Sequence, residues 1–63
     1  MKLYVTLYVR SGGTYTAARI KGSPCCLVRR LEADPESPTG WWVTVEEIIK
    51  AITPEAAVEI ATI

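Results

Sequence analysis

The chain has 63 residues, of which 49% are apolar and 22% are charged, and its formal net charge at pH 7 is zero. This length predicts one domain over residues 1–63, and the apolar content excludes an intrinsically disordered tail. Polar residues interrupt the apolar ones near the N-terminus. Neither a signal peptide nor a membrane helix is therefore predicted, no membrane contact is expected, and a cytoplasmic location is expected.

The two halves of the chain carry opposite charges. Apart from Lys50, the basic residues lie in the first thirty positions, and every acidic residue follows them. The basic half contains Lys2, Arg10, Arg19, Lys21, Arg29 and Arg30, and the acidic half contains Glu32, Asp34, Glu36, Glu46, Glu47, Glu55 and Glu59. Such asymmetry indicates partners of complementary charge, including further copies of the same chain.

Residues 2–10 alternate without interruption between apolar and polar side chains. This period of two predicts a β-strand with one buried face. The apolar face is expected to lie in the core, and it consists of Leu3, Val5, Leu7 and Val9.

A tight turn is predicted at Gly12 and Gly13, because glycine reaches the positive φ angles of such turns without a Cβ clash. A second strand then runs over residues 14–21. With a two-residue loop, Val9 pairs with Thr16, and the apolar residues of both strands fall on one face. A loop of three residues would instead place a charged side chain in the core.

The opposite face of this predicted hairpin combines aromatic rings with cations. Its members are Tyr4, Tyr8, Tyr15, Lys2, Arg10, Arg19 and Lys21. Tyrosine and arginine dominate protein interfaces, and rings beside cations also stack bases and neutralise phosphates in single-stranded nucleic acids. The alternative is structural, since tyrosines commonly pack under a helix or loop with basic side chains lying across them.

A third strand is predicted from Cys25 to Glu32, after a break at residues 22–24. Leu27 and Leu31 would share a core face, with Arg29 between them at a bulge or an edge.

Cys25 and Cys26 are the only cysteines, and the chain has no histidine. Adjacent cysteines of a strand point to opposite faces, so free thiols are expected. Two ligands fall short of the four of a structural zinc site, so neither a metal nor a cofactor is predicted. Burial as small apolar side chains is favoured over a redox role.

Residues 34–40 form a polar, proline-rich loop, which is either an ordinary surface connection or a contact element. A short fourth strand follows over residues 40–43. Trp41 and Trp42 then point to opposite faces, so only one of them faces the core. The other is either covered by the C-terminal segment or exposed. Which of the two is exposed stays open, and Trp42 is taken as a candidate for partner binding.

A capping box predicts a short amphipathic helix over residues 45–52, with Thr44 as N-cap and Glu47 at the third helical position. Pro54 ends this helix. The last ten residues are typical either of a second helix beginning at Pro54 or of a closing strand. The strand is favoured because it would protect an open sheet edge.

The expected fold is mainly β, a small α+β domain. It has a four- to five-stranded antiparallel sheet curled toward an SH3-like barrel and one short helix near 45–52. Leu27 to Ile52 also resembles the closing part of the plasmid-encoded type II dihydrofolate reductases. The Val-Gln-Ile-Tyr stretch of their active pore is absent here, so neither activity nor residues are carried over.

An enzyme is not expected, because no nucleophile with a nearby base, phosphate-binding glycine loop or metal cluster appears in the sequence. The expected function is that of a small protein-binding module, an inhibitor, adaptor or accessory subunit. An acidic protein is one candidate partner. Self-association as a homo-oligomer belongs to this expectation. The alternative is binding of single-stranded nucleic acid. The candidate contact residues are Tyr4, Tyr8, Arg10, Tyr15, Arg19, Lys21 and Trp42.

Overall fold

The computed structural model describes residues 6–62 as four strands followed by one helix. The elements are β1 (Tyr8–Arg10), β2 (Gly13–Arg19), β3 (Cys25–Ala33), β4 (Trp41–Lys50) and α1 (Pro54–Ala61). The strands form one antiparallel sheet in the order β1-β2-β3-β4. The sheet is not closed, so the predicted SH3-like barrel is not confirmed. The predicted positions Lys2, Leu3, Tyr4 and Val5 lie outside the described residues.

The β1–β2 turn lies one residue earlier than predicted, at residues 11–12, and Val9 pairs with Thr14 instead of Thr16. Gly13 opens β2 at a φ of 141°, a conformation that side chains with a Cβ rarely adopt. The pairing is displaced by two positions, an even number. It therefore leaves every side chain on its predicted face of the hairpin.

The core lies on the opposite side of the sheet from the predicted one. Helix α1 packs against the face that carries Tyr15, and the buried cluster is formed by Tyr15, Cys26, Val28, Ile49, Ala57 and Val58. Leu7 and Val9, which were expected in the core, are 44% and 71% exposed. The alternation in β1 was interpreted correctly as two faces, but the helix covers the polar and aromatic one.

Strand β3 lies where it was predicted, but its core face does not. Cys26 and Val28 point toward α1, whereas Leu27 and Leu31 lie on the other side. Both thiols are free, as expected, and Cys26 is fully buried. Its Sγ donates a hydrogen bond to the carbonyl oxygen of Ala51 at 3.3 Å.

The predicted helix over 45–52 is wrong, because β4 continues to Lys50. This segment pairs with β3 as far as Cys25, and its β-branched side chains suit an extended backbone better than a helix. Thr44 caps nothing. Its hydroxyl donates to the carbonyl oxygen of Arg30 at 3.3 Å, next to a register shift between Arg30 and Leu31.

The helical alternative for the C-terminal segment is confirmed, and the favoured closing strand is wrong. Thr53 is the N-cap of α1, since its Oγ1 accepts a hydrogen bond from the backbone N–H of Ala56 at 3.1 Å. Pro54 follows in the first turn, where its missing N–H is not needed. Ala57 and Val58 are fully buried against the sheet. Among residues 6–62, no helix has the length and apolar character needed to cross a membrane.

Thr53→Val is expected to lower the free energy of unfolding by about 1 kcal/mol, because the variant keeps the side-chain shape and loses the cap hydrogen bond. Urea denaturation measures this loss. Thr53→Ser is the matched control, since it keeps the hydroxyl that accepts the hydrogen bond from the Ala56 N–H, and little loss is expected. An equal loss for the two variants would contradict the cap.

Candidate interaction surface

The predicted face of tyrosines and cations lies under α1 in its central part. Tyr15 is only 7% exposed and belongs to the core, and Tyr8 is half-buried beside it. The two rings are cross-strand neighbours on β1 and β2. For these two residues, the structural alternative holds, in which tyrosines pack under a helix.

Arg10 connects this face to the helix. Its Nε donates to Oε1 of Glu59 at 2.8 Å, and its guanidinium carbon lies 5.8 Å from the centre of the Tyr8 ring. The carboxylate is 62% exposed, so solvent screens the pair, and such pairs contribute at most about 1 kcal/mol. Arg10 therefore serves the packing of α1 on the sheet, with part of its side chain still accessible.

Arg19, Lys21 and Trp42 are exposed but are not brought together. Arg19 ends β2 opposite Cys26, and its guanidinium donates to the carbonyl oxygen of Ser23 at 3.3 Å. Trp42 is 61% exposed and pairs with Glu32, at the other end of β3. The strand partners of Arg19 and Trp42, Cys26 and Glu32, lie six residues apart along β3, which corresponds to roughly 20 Å. The predicted contact residues thus form no single continuous site among the described residues.

The other face of the sheet carries no covering element within residues 6–62. We call it the open face, and its principal members are Leu7, Val9, Thr16, Leu27, Arg29, Leu31, Trp41, Val43, Glu46 and Ile48. They lie in rows across the sheet, with Leu27 opposite Ile48 and Leu31 opposite Val43. Most of its apolar members are substantially exposed, and the largest exposed fractions are 71% for Val9 and 67% for Ile48.

One ion pair lies in the middle of the open face. Nε of Arg29 donates to Oε2 of Glu46 at 2.7 Å across β3 and β4. The two side chains are 47% and 53% exposed. Lys50, at the end of β4 opposite Cys25, adds a charge at the corner of this face. The centre of the open face is therefore electrically neutral and is surrounded by apolar side chains.

A depression of about 420 Å³ lies in the open face. It is lined by Leu31, which is only 8% exposed, and by Leu7, Trp41, Val43, Thr16, Arg29 and Thr39. Thr39 belongs to the loop of residues 34–40. The backbone N–H of Asp34 donates a hydrogen bond of 2.8 Å to the carbonyl oxygen of Gly40, which joins the two ends of this loop. The loop therefore supplies one wall of the depression beside the sheet.

Sequence reasoning missed this surface because it assigned Leu7 and Val9 to the core. A signal was present in the last strand, where Trp-Trp-Val-Thr-Val-Glu-Glu-Ile-Ile-Lys has apolar residues on both faces. A strand with two apolar faces is typical of burial on both sides. Here most of β4 is exposed, with Ile49 as its one buried residue.

The described residues contain no group of three or more side chains placed to hold a metal ion. Comparison of the chain with protein-family models, with curated proteins and with solved structures finds no match. What the protein does must therefore be inferred from its surfaces.

Proposed function

We propose that this chain is a non-catalytic protein-binding module and that the open face is its contact surface. The observation that carries the proposal is the set of exposed aliphatic side chains on one sheet face, on both sides of the Arg29–Glu46 ion pair, with Val9 and Ile48 71% and 67% exposed. Single apolar residues are common on protein surfaces, whereas a contiguous apolar patch marks an interaction site. The roles expected from the sequence, those of an inhibitor, adaptor or accessory subunit, all use such a surface.

The chemistry of the open face favours a protein over a nucleic acid. Its central arginine is already neutralised by Glu46, and its other central members are apolar side chains or threonines. Binding to single strands requires accessible rings and unpaired cations in one groove. Tyr15 is buried and Arg10 contacts Glu59, so the face first assigned to nucleic acid offers few of either.

Trp42 extends the proposed surface around the edge of the sheet. It lies next to Trp41 in β4, which lines the depression, but points to the helix side. Tryptophan is enriched among the residues that dominate binding energy. Trp42 therefore remains a candidate contact for a partner that also touches the β4 edge.

The proposal is tested by size-exclusion chromatography of lysates from cells that naturally contain the chain, with a tag to detect it. The protein is expected to elute in a complex larger than its 6.9 kDa monomer. Ile48→Lys, which places a charge on the open face, is expected to shift it to the monomer position. Ile60→Lys is the matched control, because Ile60 lies on α1 and is 48% exposed.

Elution of the unmodified protein as a monomer contradicts the proposal, as does an equal effect of the two substitutions. Affinity for a single-stranded oligonucleotide that falls steeply with salt would support the nucleic-acid alternative instead. We expect no such binding to the purified protein at low salt.

A further inference from the structure

We infer that the occupant of the open face is a second copy of this chain, so that two sheets pack face to face with their helices outside. The inference rests on the proposed function and names its partner. Sheets stacked in this way lie about 10 Å apart and share one core. Ile48 and Val43 of each copy would then be buried by the other.

The dimensions of the molecule suit this arrangement. Its extents are 34 × 32 × 15 Å, so it is a thin slab with two broad sides. A stable complex of standard size buries about 800 Å² on each partner. That area is smaller than the outline of one broad side, 34 by 32 Å, and is a modest part of the total surface of 4875 Å².

The core also gives a reason for a second layer. The buried cluster lies between the sheet and a single helix of eight residues. Domains of about 60 residues bury only about 60% of the surface that their unfolded chains expose, so their stability is marginal. Packing two open faces together would add a second apolar layer to each sheet.

The charges of the open face are self-complementary. Arg29 and Glu46 neutralise each other within one chain, and the chain as a whole has zero formal net charge. In a symmetric pair the same patch is used twice, so a contact from one residue to another occurs in both directions. With the two-fold axis near this ion pair, each Arg29 also approaches Glu46 of the second copy. A partner of strong net charge would find no counter-charge at this centre.

Pairing through the β4 edge is the competing arrangement, and its own residues oppose it. Glu46 and Glu47 lie near the middle of the strand, so an antiparallel pair of β4 edges would bring like charges together. The register shift beside Thr44 also disturbs a regular row of hydrogen-bonding groups. Mid-strand charges and bulges are devices that protect sheet edges from self-pairing. The face therefore accepts a second copy more readily than the edge does.

Light scattering on the purified 63-residue chain tests the inference across the micromolar to millimolar range. The expected mass is twice the monomer value of 6.9 kDa. Ile48→Lys is expected to raise the dissociation constant of the dimer by at least about tenfold, because one well-buried contact is lost. Ile60→Lys is expected to leave the dissociation constant unchanged. Circular dichroism checks that each variant is folded. If Ile48→Lys does not fold, Val9→Lys provides the same test from β1.

An exchange of charges gives a sharper test. Arg29→Glu and Glu46→Arg each leave two like charges at the centre of the open face, so each variant alone is expected to be monomeric. Their mixture is expected to form a one-to-one complex, because the charges are then complementary between the two chains.

A monomer at every concentration overturns the inference. If the lysate complex persists in that case, the open face binds a different protein and the proposed function stands. A dimer that survives both open-face lysine substitutions, or a mixture of the charge variants that stays monomeric, also overturns it. Loss of the lysate complex and of the dimer together removes the proposed function as well.

Discussion

Val58→Asp is expected to remove a large part of the stability of the fold. Val58 is fully buried in α1, where its side chain faces the core beneath the sheet. An unpaired carboxylate in such a place costs about 3–5 kcal/mol or forces the group to take up a proton. A domain of this length has only roughly 3–9 kcal/mol of total stability. Far-UV circular dichroism and thermal unfolding measure the loss.

Ile60→Asp is the matched control for this prediction. Ile60 lies two positions further along the same helix and is 48% exposed, so a carboxylate there stays in water. The control is expected to remain folded, with a loss of about 1 kcal/mol or less. A cooperative melting transition of Val58→Asp near that of the unmodified protein would mean that α1 does not pack on the sheet.

Tyr15→Ala is expected to lower the free energy of unfolding by about 3–5 kcal/mol, the usual cost of removing a buried aromatic ring. Tyr15 is 7% exposed and contributes a large side chain to the buried cluster. Trp42→Ala removes an even larger ring, but that ring is 61% exposed, so its loss is expected to cost at most about 1 kcal/mol. Urea denaturation of the two variants compares them directly.

This pair of variants separates the two interpretations of the tyrosine face. If Tyr15 were a contact residue on an open surface, Tyr15→Ala would leave the stability nearly unchanged and would impair binding instead. Equal, small losses for Tyr15→Ala and Trp42→Ala would therefore contradict the observed core. They would also return the tyrosines to the list of candidate contact residues.

The opposite charges of the two halves are compensated in part within the chain, which the sequence alone does not reveal. Arg10 pairs with Glu59, and Arg29 pairs with Glu46, so basic residues of the first half contact acidic residues of the second. The prediction of a partner with complementary charge is therefore weakened, since part of the complement lies in the same chain. On the open face, where Arg29 and Glu46 pair with each other, the remaining side chains are mainly apolar, and this is why that face is the proposed contact surface.

Local patterns in the sequence determined several features of the fold. The alternation of residues 2–10 predicted a strand of which β1 occupies the last three positions, Tyr8–Arg10, while residues 6–7 precede it and residues 2–5 lie outside the described part. The predicted strand from Cys25 to Glu32 coincides closely with β3. The opposite orientations of Trp41 and Trp42 and the free thiols were also predicted, although neither tryptophan belongs to the buried cluster. Each of these features follows from the period of a strand or from covalent geometry, which act over a few neighbouring residues.

Only the tertiary structure decided which face of the sheet is the core and where the helix lies. Alternation divides a strand into two faces but does not say which of them another element will cover, and here α1 covers the side of Tyr15. The segment over 45–52 satisfies both a capping box and a strand, and its pairing with β3 selects the strand. Non-local hydrogen bonds and packing outweigh propensities of a few tenths of a kcal/mol per residue, so the choice depends on partners distant in the sequence.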